Sequence, residues 1–590
     1  MTVSANNGIY GLFALTEKSL GQRDRGVFAD VLQNRWRDAQ EPTALVQVED
    51  RPGNCTPEIL ENENGISLFS GWLGDPPVDS DEGQANPSLS RVARTFDASG
   101  SDTPRLLAGE WSFLRWDKAR CRLTIIASEN LRDPLYYCRS GDTIAVAASL
   151  KLLSRLDWVS REFNAESLLL SLGRARLRRG FQHQSILENV WQLEPGSCIE
   201  IDASSHHHTR LPPAQPAKLT WTGSFDEAVE EVRFMLRRIM REHLRHYGHS
   251  AVMLSGGLDS TIMAWLLAEQ GGDGQGHVAL SSAAAPGSGL RDETGFAAKV
   301  AEQLGLPFHR VVPEESPSPY RPSAAMFAIT DRPALSQRHY LYEALYGTAA
   351  GLGANVVLDG VYGEATLTAK LLLPWHAHPV RSARRFLRNT LRPGPKADAM
   401  DWFHVRLADH HTSALPERFG EIWNLPNLRF GAASGKRPLG YGPLSVKTGL
   451  APTRTSLPQL RHALPFRDRR LMDLVAHMPA SFLVNRDQNR VLGRAVLGGY
   501  ITDDIRLRRS GMPFSPDYES RLVAHAAQAR DRIDAFSTHG VDQWLDLPWL
   551  SQVLQRMAAG EAVSEIDKLK AQLTAMTAEF LLWWKDADQG

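Results

Sequence analysis

The residues with the clearest capacity for chemistry lie in one run from Ala251 to Trp265, AVMLSGGLDSTIMAW. An apolar stretch ends at Leu254, two glycines follow, and helical periodicity begins after Ser260. Gly256 and Gly257 allow a tight bend that brings backbone N–H groups close to an anion. Ser255 and Ser260 add hydroxyl donors, and the helix that follows points its positive end at the same place. Asp259 is out of place in a purely anion-binding turn unless a cation joins it to phosphate. The plainer alternative is a strand–turn–helix corner in which Ser-Gly-Gly only makes the bend. The ordered coincidence of strand, glycines, hydroxyls and acid favours a phosphate cradle.

A cradle of this kind needs a strand before it and a helix behind it, and the surrounding sequence supplies both repeatedly. Phe225–Tyr247 has helical periodicity, Ser250–Leu254 is a short apolar strand and Thr261–Gln270 is helical. The alternation continues with strand His277–Leu280, helix Glu293–Leu304, strand Phe308–Val312, helix Gln337–Ala350 and strand Asn355–Leu358. This pattern predicts a parallel, doubly wound α/β sheet, with ligands beyond the carboxyl ends of its strands. Residues 1–210 differ: short apolar runs such as Gly8–Leu15, Leu123–Ala127 and Ile144–Ala148 alternate with turn residues, which predicts a β-rich domain. Between Asp202 and Thr222, a polar stretch with His206, His207 and His208 reads as a solvated linker. Two domains are therefore expected, 1–210 and 211–590. Residues 371–460 look irregular, and 461–590 mostly helical.

The 590 residues exceed one ordinary core, which agrees with that division. A net charge of −1 argues against nucleic acid or an anionic membrane as partner. The four cysteines form no CxxC pair, and no apolar run reaches membrane-spanning length, so a cytoplasmic protein is expected.

The stretch Ser255–Ser260 resembles the signature of the asparagine synthetase-like ATP pyrophosphatases, which form acyl-adenylates from ATP. Asp292-Glu293, Ala297-Ala298 and Leu304-Gly305 with His309 resemble that family's second block. The run Val356–Glu364 resembles its pyrophosphate loop, with Glu364 standing where aspartate is usual. By this resemblance ATP and magnesium are implied, with Asp259 and Glu364 holding the metal. Leu254, Ser281, Ser282 and Gly360 would frame the adenosine. Pro465-Phe466 with Asp468, and Asn489-Arg490 with Arg494, resemble the C-terminal blocks. Arg490 takes the place of a lysine thought to stabilise the reacting centre. Arginine keeps the charge and forks onto oxyanions. Arg490 and Arg494 are also open to the reading of solvated charges on a helix.

In residues 1–210, Gly109-Glu110-Trp111, Arg132–Tyr137, Ala148–Lys151 and Pro195-Gly196 resemble landmarks of a glutamine amidotransferase of the N-terminal-nucleophile (Ntn) class, an α+β sandwich. The nucleophilic cysteine is replaced: Asn7-Gly8-Ile9-Tyr10-Gly11 puts asparagine in its place, and Thr2 lies five residues too early. An amine already carried by the substrate is then expected. Two branches of the family resemble that solution, the β-lactam synthetases and the lasso-peptide cyclases. Val361 after Gly360, with Tyr362 one place later, and the missing lysine depart from the β-lactam pattern. The arginines at 381, 384, 385, 388 and 392 suit a folded peptide, or else form a solvated helix face. The resemblance thus favours a lasso-peptide cyclase. It implies a precursor peptide, a leader peptidase and a leader-recognition protein as partners, with Arg490 steadying charge and Tyr362 or His309 as base. An ammonia-fed amidoligase, a β-lactam synthetase and a catalytically silent scaffold remain as alternatives.

Overall fold

The structure is a computed structural model and describes residues 9–15, 36–41, 44–49, 57–74, 86–131, 133–165, 167–168, 185–210, 221–271, 276–333, 336–368, 457, 459–484, 488–508 and 515–586. The described residues form two compact units. One takes those up to Leu168, with 185–210 and Arg245–Tyr247; the other takes 221–244 and 248 onward.

The first unit contains β1 (Ile9–Ala14), β2 (Trp36–Glu41), β3 (Ala44–Glu49), β4 (Glu58–Asn62), β5 (Gly65–Leu73), α1 (Pro87–Ser99), β6 (Gly109–Asp117) and β7 (Arg122–Ala127). It continues with β8 (Tyr136–Ser140), β9 (Thr143–Ala147), β10 (Val190–Gln192), β11 (Ser197–Ile201) and β12 (His206–Arg210). These strands make two antiparallel sheets, ordered β10-β8-β9-β1-β3-β2 and β12-β11-β7-β6-β5-β4. Period-two alternation makes the sandwich. On β6, Leu114 and Trp116 enter the core between the sheets with Phe13, Val46, Ile125 and Val146. Trp111 and Phe113, on the opposite face, pack under Leu89 and Val92 of α1.

One expectation fails in this unit. His206–Arg210 is a strand, paired antiparallel with β11 from Ile201↔His206 to Ser197↔Arg210. The histidine run lacks the apolar alternation of a buried strand because it is an edge strand. Its pairing comes from the backbone of β11, and a polar edge resists further pairing.

The second unit contains α2 (Phe225–Tyr247) as far as Leu244, β13 (Ser250–Met253), α3 (Leu258–Gln270), β14 (Val278–Ser282), α4 (Thr294–Gln303), β15 (Phe308–Val311), α5 (Ala324–Thr330) and α6 (His339–Gly351). Then come β16 (Val356–Leu358), β17 (Arg461–Ala463), α7 (Val491–Val496), α8 (Tyr518–Ala524) and α9 (Glu565–Asp586). Ser224 and Glu227 start α2 with a reciprocal capping box. The five strands are parallel in the order β15-β14-β13-β16-β17. The strand β17 lies in a stretch that reads as mostly helical. Three residues are too short for a periodic signal, and the strand exists because it pairs with β16.

Met253, Leu280 and Val357 pack on Tyr342, Leu345 and Ala349 of α6. The helix α9 is buried almost throughout, from Lys570 to Leu582 and again at Trp584. The chain runs outward from β13 to β15 and then returns to place β16 on the other side of β13. That reversal opens a crevice at the carboxyl ends of β13 and β16.

Candidate functional site

Two turns enter this crevice, one after β13 and one after β16. Leu254, which is buried, extends β13 by donating its N–H to Leu280 O (2.8 Å). Gly256 has φ +69°, and a Cβ there would stand 2.7 Å from Phe296 Cβ, so glycine is required on both counts. Gly257 is the N-cap of α3 with no side-chain cap, and a Cβ on it would meet only Ser255 Oγ. Backbone N–H groups of the first helical turn are thus left for another acceptor.

The two hydroxyls of this turn brace it. Ser255 N–H donates to Ser260 Oγ (3.1 Å), Ser260 Oγ donates to Gly257 O (3.0 Å), and Gly257 N–H donates to Ser255 Oγ (3.3 Å). The oxygens of Ser255 and Ser260 lie 3.1 Å apart, and Ser260 is buried. Their bonds hold the backbone in the shape that an anion would meet.

The second turn sits directly on the first. A Cβ on Gly360 would lie 2.9 Å from both Asp259 C and Ser260 N, and one on Gly363 would lie 2.6 Å from Asp259 Cγ. Only glycines allow the two loops to close in this way. Thr368 donates its hydroxyl to Asp259 Oδ1. Glu364 is half-buried in the short helical turn Gly363–Ala365. Tyr362 has φ +79° and its side chain is buried, which gives it a part in bending the turn.

A buried chain of polar groups anchors the second turn from below. Asp359 accepts from Val361 N–H (3.1 Å), donates its own N–H to Ala463 O (3.0 Å) and places Oδ2 3.3 Å from His462 Nε2. His462 Nδ1 lies 3.1 Å from the Tyr346 hydroxyl. In the tautomer with its proton on Nε2, the imidazole donates to Asp359 and accepts from the tyrosine at Nδ1.

Helix α7 locks both turns together. Its Gly493 donates to Leu367 O (3.1 Å), and a Cβ there would lie 2.7 Å from Thr368 Cγ2 and 3.3 Å from Leu258 Cδ2. Arg490 is the N-cap of this helix, in a left-handed conformation (φ +63°). Its Nε is buried and has no acceptor among the described residues. Arg494 is committed to carbonyls of Asn489 (3.1 Å), Arg506 (2.5 Å) and Arg508 (3.0 Å), so it is not a solvated surface charge.

Behind the first turn, Asp292 accepts N–H bonds from Ala284 (2.8 Å) and Thr294 (3.0 Å). Burial pushes its carboxyl up, but the Thr294 hydroxyl and these bonds hold it below the usual carboxylate range. Arg508 pairs with Glu293 (2.6 Å) and lies 4.2 Å over the ring of Phe296, the residue packed on Gly256. Ser281 and Ser282 are buried at the end of β14. His309 is on β15, two strands from β13.

The crevice therefore brings together Leu254, Ser255, Gly256, Gly257, Asp259, Ser260, Gly360, Tyr362 and Glu364, with Arg490 on the adjoining helix. Sequence reasoning missed Thr368, His462 and Arg508, which lie in no motif and act through contacts distant in sequence. Asn7, Thr2, Arg132 and the arginines at 381–392 lie outside the described residues.

A triphosphate with magnesium fits what is present. There are uncapped helix N–H groups, an arginine Nε without an acceptor among the described residues, and two acids on turns that touch. Among the described residues no group of three or more His, Cys, Asp or Glu is placed to hold a metal. An ion here would complete its shell with phosphate oxygens and water, as magnesium commonly does.

Comparison with known proteins adds to this geometry. Residues 231–424 and 459–585 match the asparagine synthase family, and residues 90–211 match a glutamine amidotransferase domain. No curated protein matches the chain. Among solved structures, glutamine phosphoribosylpyrophosphate amidotransferase from B. subtilis, complexed with ADP and GMP, is 13% identical with a TM-score of 0.23; the match covers 52% of this chain and 60% of that one. A structure described as the allosteric regulatory enzyme of purine biosynthesis is 13% identical with a TM-score of 0.22, over 61% and 69% of the two chains. Likenesses this weak carry no argument.

Proposed function

The chain belongs to the asparagine synthase family, a family of ATP-dependent carbon–nitrogen ligases, and from that premise we propose that it activates a peptide carboxylate as an acyl-adenylate and closes it onto the peptide's own amine. The substrate in this reading is a precursor peptide. Its Asp or Glu side chain is activated, AMP and pyrophosphate are released, and its N-terminal amine completes a macrolactam, as in lasso-peptide biosynthesis. A leader peptidase and a leader-recognition protein would act beside it.

One observation carries the reading: Gly360 and Gly363 seat the second turn on Asp259 of the first, at the reversal of strand order. In-line displacement at an α-phosphorus needs the departing pyrophosphate held from both sides. The uncapped N–H groups of α3 orient the phosphates from one side. Asp259 and Glu364 would hold magnesium, which neutralises charge on the leaving pyrophosphate. Thr368 fixes the rotamer of Asp259, and the His462–Asp359 contact fixes the turn that bears Glu364. Arg490, with an Nε still to be satisfied, steadies negative charge where the carboxylate oxygen attacks. An amine in the same molecule converts the second step into an intramolecular one.

The test uses purified full-length protein with ATP, magnesium and a peptide carrying a glycine N-terminus and an internal Asp or Glu. Peptide-dependent AMP and pyrophosphate, with loss of one water from the peptide mass, is the expected result. Asp259→Ala should abolish both. Release of ADP, or AMP formed only with free ammonia and a small acid, would overturn the peptide reading. Unchanged biological output from Asp259→Ala would mark the chain as a scaffold.

A further inference from the structure

The segment that leads into α6 carries polar groups that the reaction above leaves unused. Gln337 is 7% exposed, and its Nε2 has no acceptor among the described residues. The Nε of the next residue, Arg338, is equally screened and equally without an acceptor. A buried N–H in this state is unfavourable, and two on adjacent residues call for an explanation.

The support behind them is built from distant parts of the unit. The Arg338 guanidinium lies over the ring of Tyr518, on α8, at 4.5 Å. The Tyr518 hydroxyl donates to Gln572 Oε1 (2.6 Å), and Gln572 Nε2 donates to the backbone carbonyls of Gln337 (2.7 Å) and Pro319 (2.8 Å). Gln572, on α9, is fully buried. One side chain thus fixes both the ring under Arg338 and the peptide group behind Gln337. Arg338 is also the N-cap of α6, whose positive end adds to the field.

Position ties this pair to the crevice. Tyr342, one helical turn on, is held protonated by burial; the charge of Asp359 acts in the same direction and that of Arg338 opposes it. The helix α6 returns from β15 to β16, so its first residues, with Arg338 as N-cap, lie at the carboxyl ends of the parallel strands, where Asp359 begins the second turn.

We propose that Gln337 and Arg338 anchor a second, non-reacting carboxylate of the acyl substrate. This rests on the acyl-adenylation reading and adds a recognition element to it. A planar guanidinium and an amide donor on the preceding residue, each with an N–H lacking an acceptor among the described residues, offer N–H partners to the two oxygens of a carboxylate. The nearby charge of Asp359 opposes a dianionic phosphate more than a monoanion, and the phosphates already have the cradle on α3.

The test reads anion binding rather than turnover, so it can fail while pyrophosphate release is seen, and succeed while none is. Full-length protein is treated with phenylglyoxal, and the peptide containing Arg338 is quantified by mass spectrometry. Glutarate should slow modification of Arg338 about tenfold, the worth of one good charged hydrogen bond, while inorganic phosphate or pyrophosphate at equal concentration does much less. Gln337→Leu should weaken the protection. Equal or better protection by phosphate, or none by any anion, overturns the proposal. If Arg338 proves too screened to react, melting temperature replaces the label. Glutarate should then raise it by roughly 2 °C in the wild type and not in Arg338→Gln, as linkage requires; equal shifts in both overturn the proposal.

Discussion

The two turns that meet at the crevice are held by opposite means. The turn after β13 is closed by its own side chains, since the hydroxyls of Ser255 and Ser260 satisfy each other and the backbone within six residues. The turn after β16 is tethered from outside, through Asp359 to His462 on β17 and on to Tyr346 on α6. A self-braced turn draws less of its shape from its surroundings. A tethered turn keeps its shape only while the distant strand and helix are in place. The leaving-group side of the site thus depends on the integrity of the whole sheet more than the helix side does.

The sharpest break of this pairing is Gly360→Ala. The added methyl would meet backbone atoms of Asp259 and Ser260 at 2.9 Å, so the turns must part. Pyrophosphate release should fall by about 10²-fold or more, the cost of a 1 Å misplacement, while circular dichroism stays unchanged. A near-normal rate would mean the loops need not touch.

Next in size, His462→Ala removes the tether. The loss of a hydrogen bond to a buried carboxylate is worth roughly 1.5–3 kcal/mol, expected as an order-of-magnitude fall in kcat with a smaller change in KM for ATP. His462→Gln, which still offers a donor, should restore part of the rate. An equal fall in both variants would mark the histidine as packing alone.

The smallest effect belongs to the self-braced turn. Ser255→Ala should cost about 1 kcal/mol in unfolding free energy, read from urea denaturation. Its effect on KM for ATP should exceed that on kcat, because the brace shapes the phosphate cradle. A kcat loss larger than that of His462→Ala would reverse the ranking of the two turns.

The same contrast explains what the sequence disclosed. The first turn was legible because everything that makes it lies between Leu254 and Ser260, in an order that chemistry restricts. The strand–helix alternation through Leu358 was legible for the same reason, since each element announces itself by its own periodicity. The partners of the second turn were not. β17 is three residues long and begins more than a hundred residues after β16 starts, and nothing in RHA marks a strand until β16 lies beside it. Thr368 and Arg508 likewise acquire meaning only when a carboxylate or a ring is brought to them. The strand at His206–Arg210 escaped because an edge borrows its pairing from a neighbour.

The depth at which α9 lies has a consequence for synthesis on the ribosome. Gln572 ties together the segments around Pro319, Gln337 and Tyr518, and most of this helix is interior. The parallel-sheet unit of a nascent chain therefore stays open until residues 570–584 have left the exit tunnel. Its half-made sheet, with apolar strands uncovered, is a natural client for a chaperone during that interval.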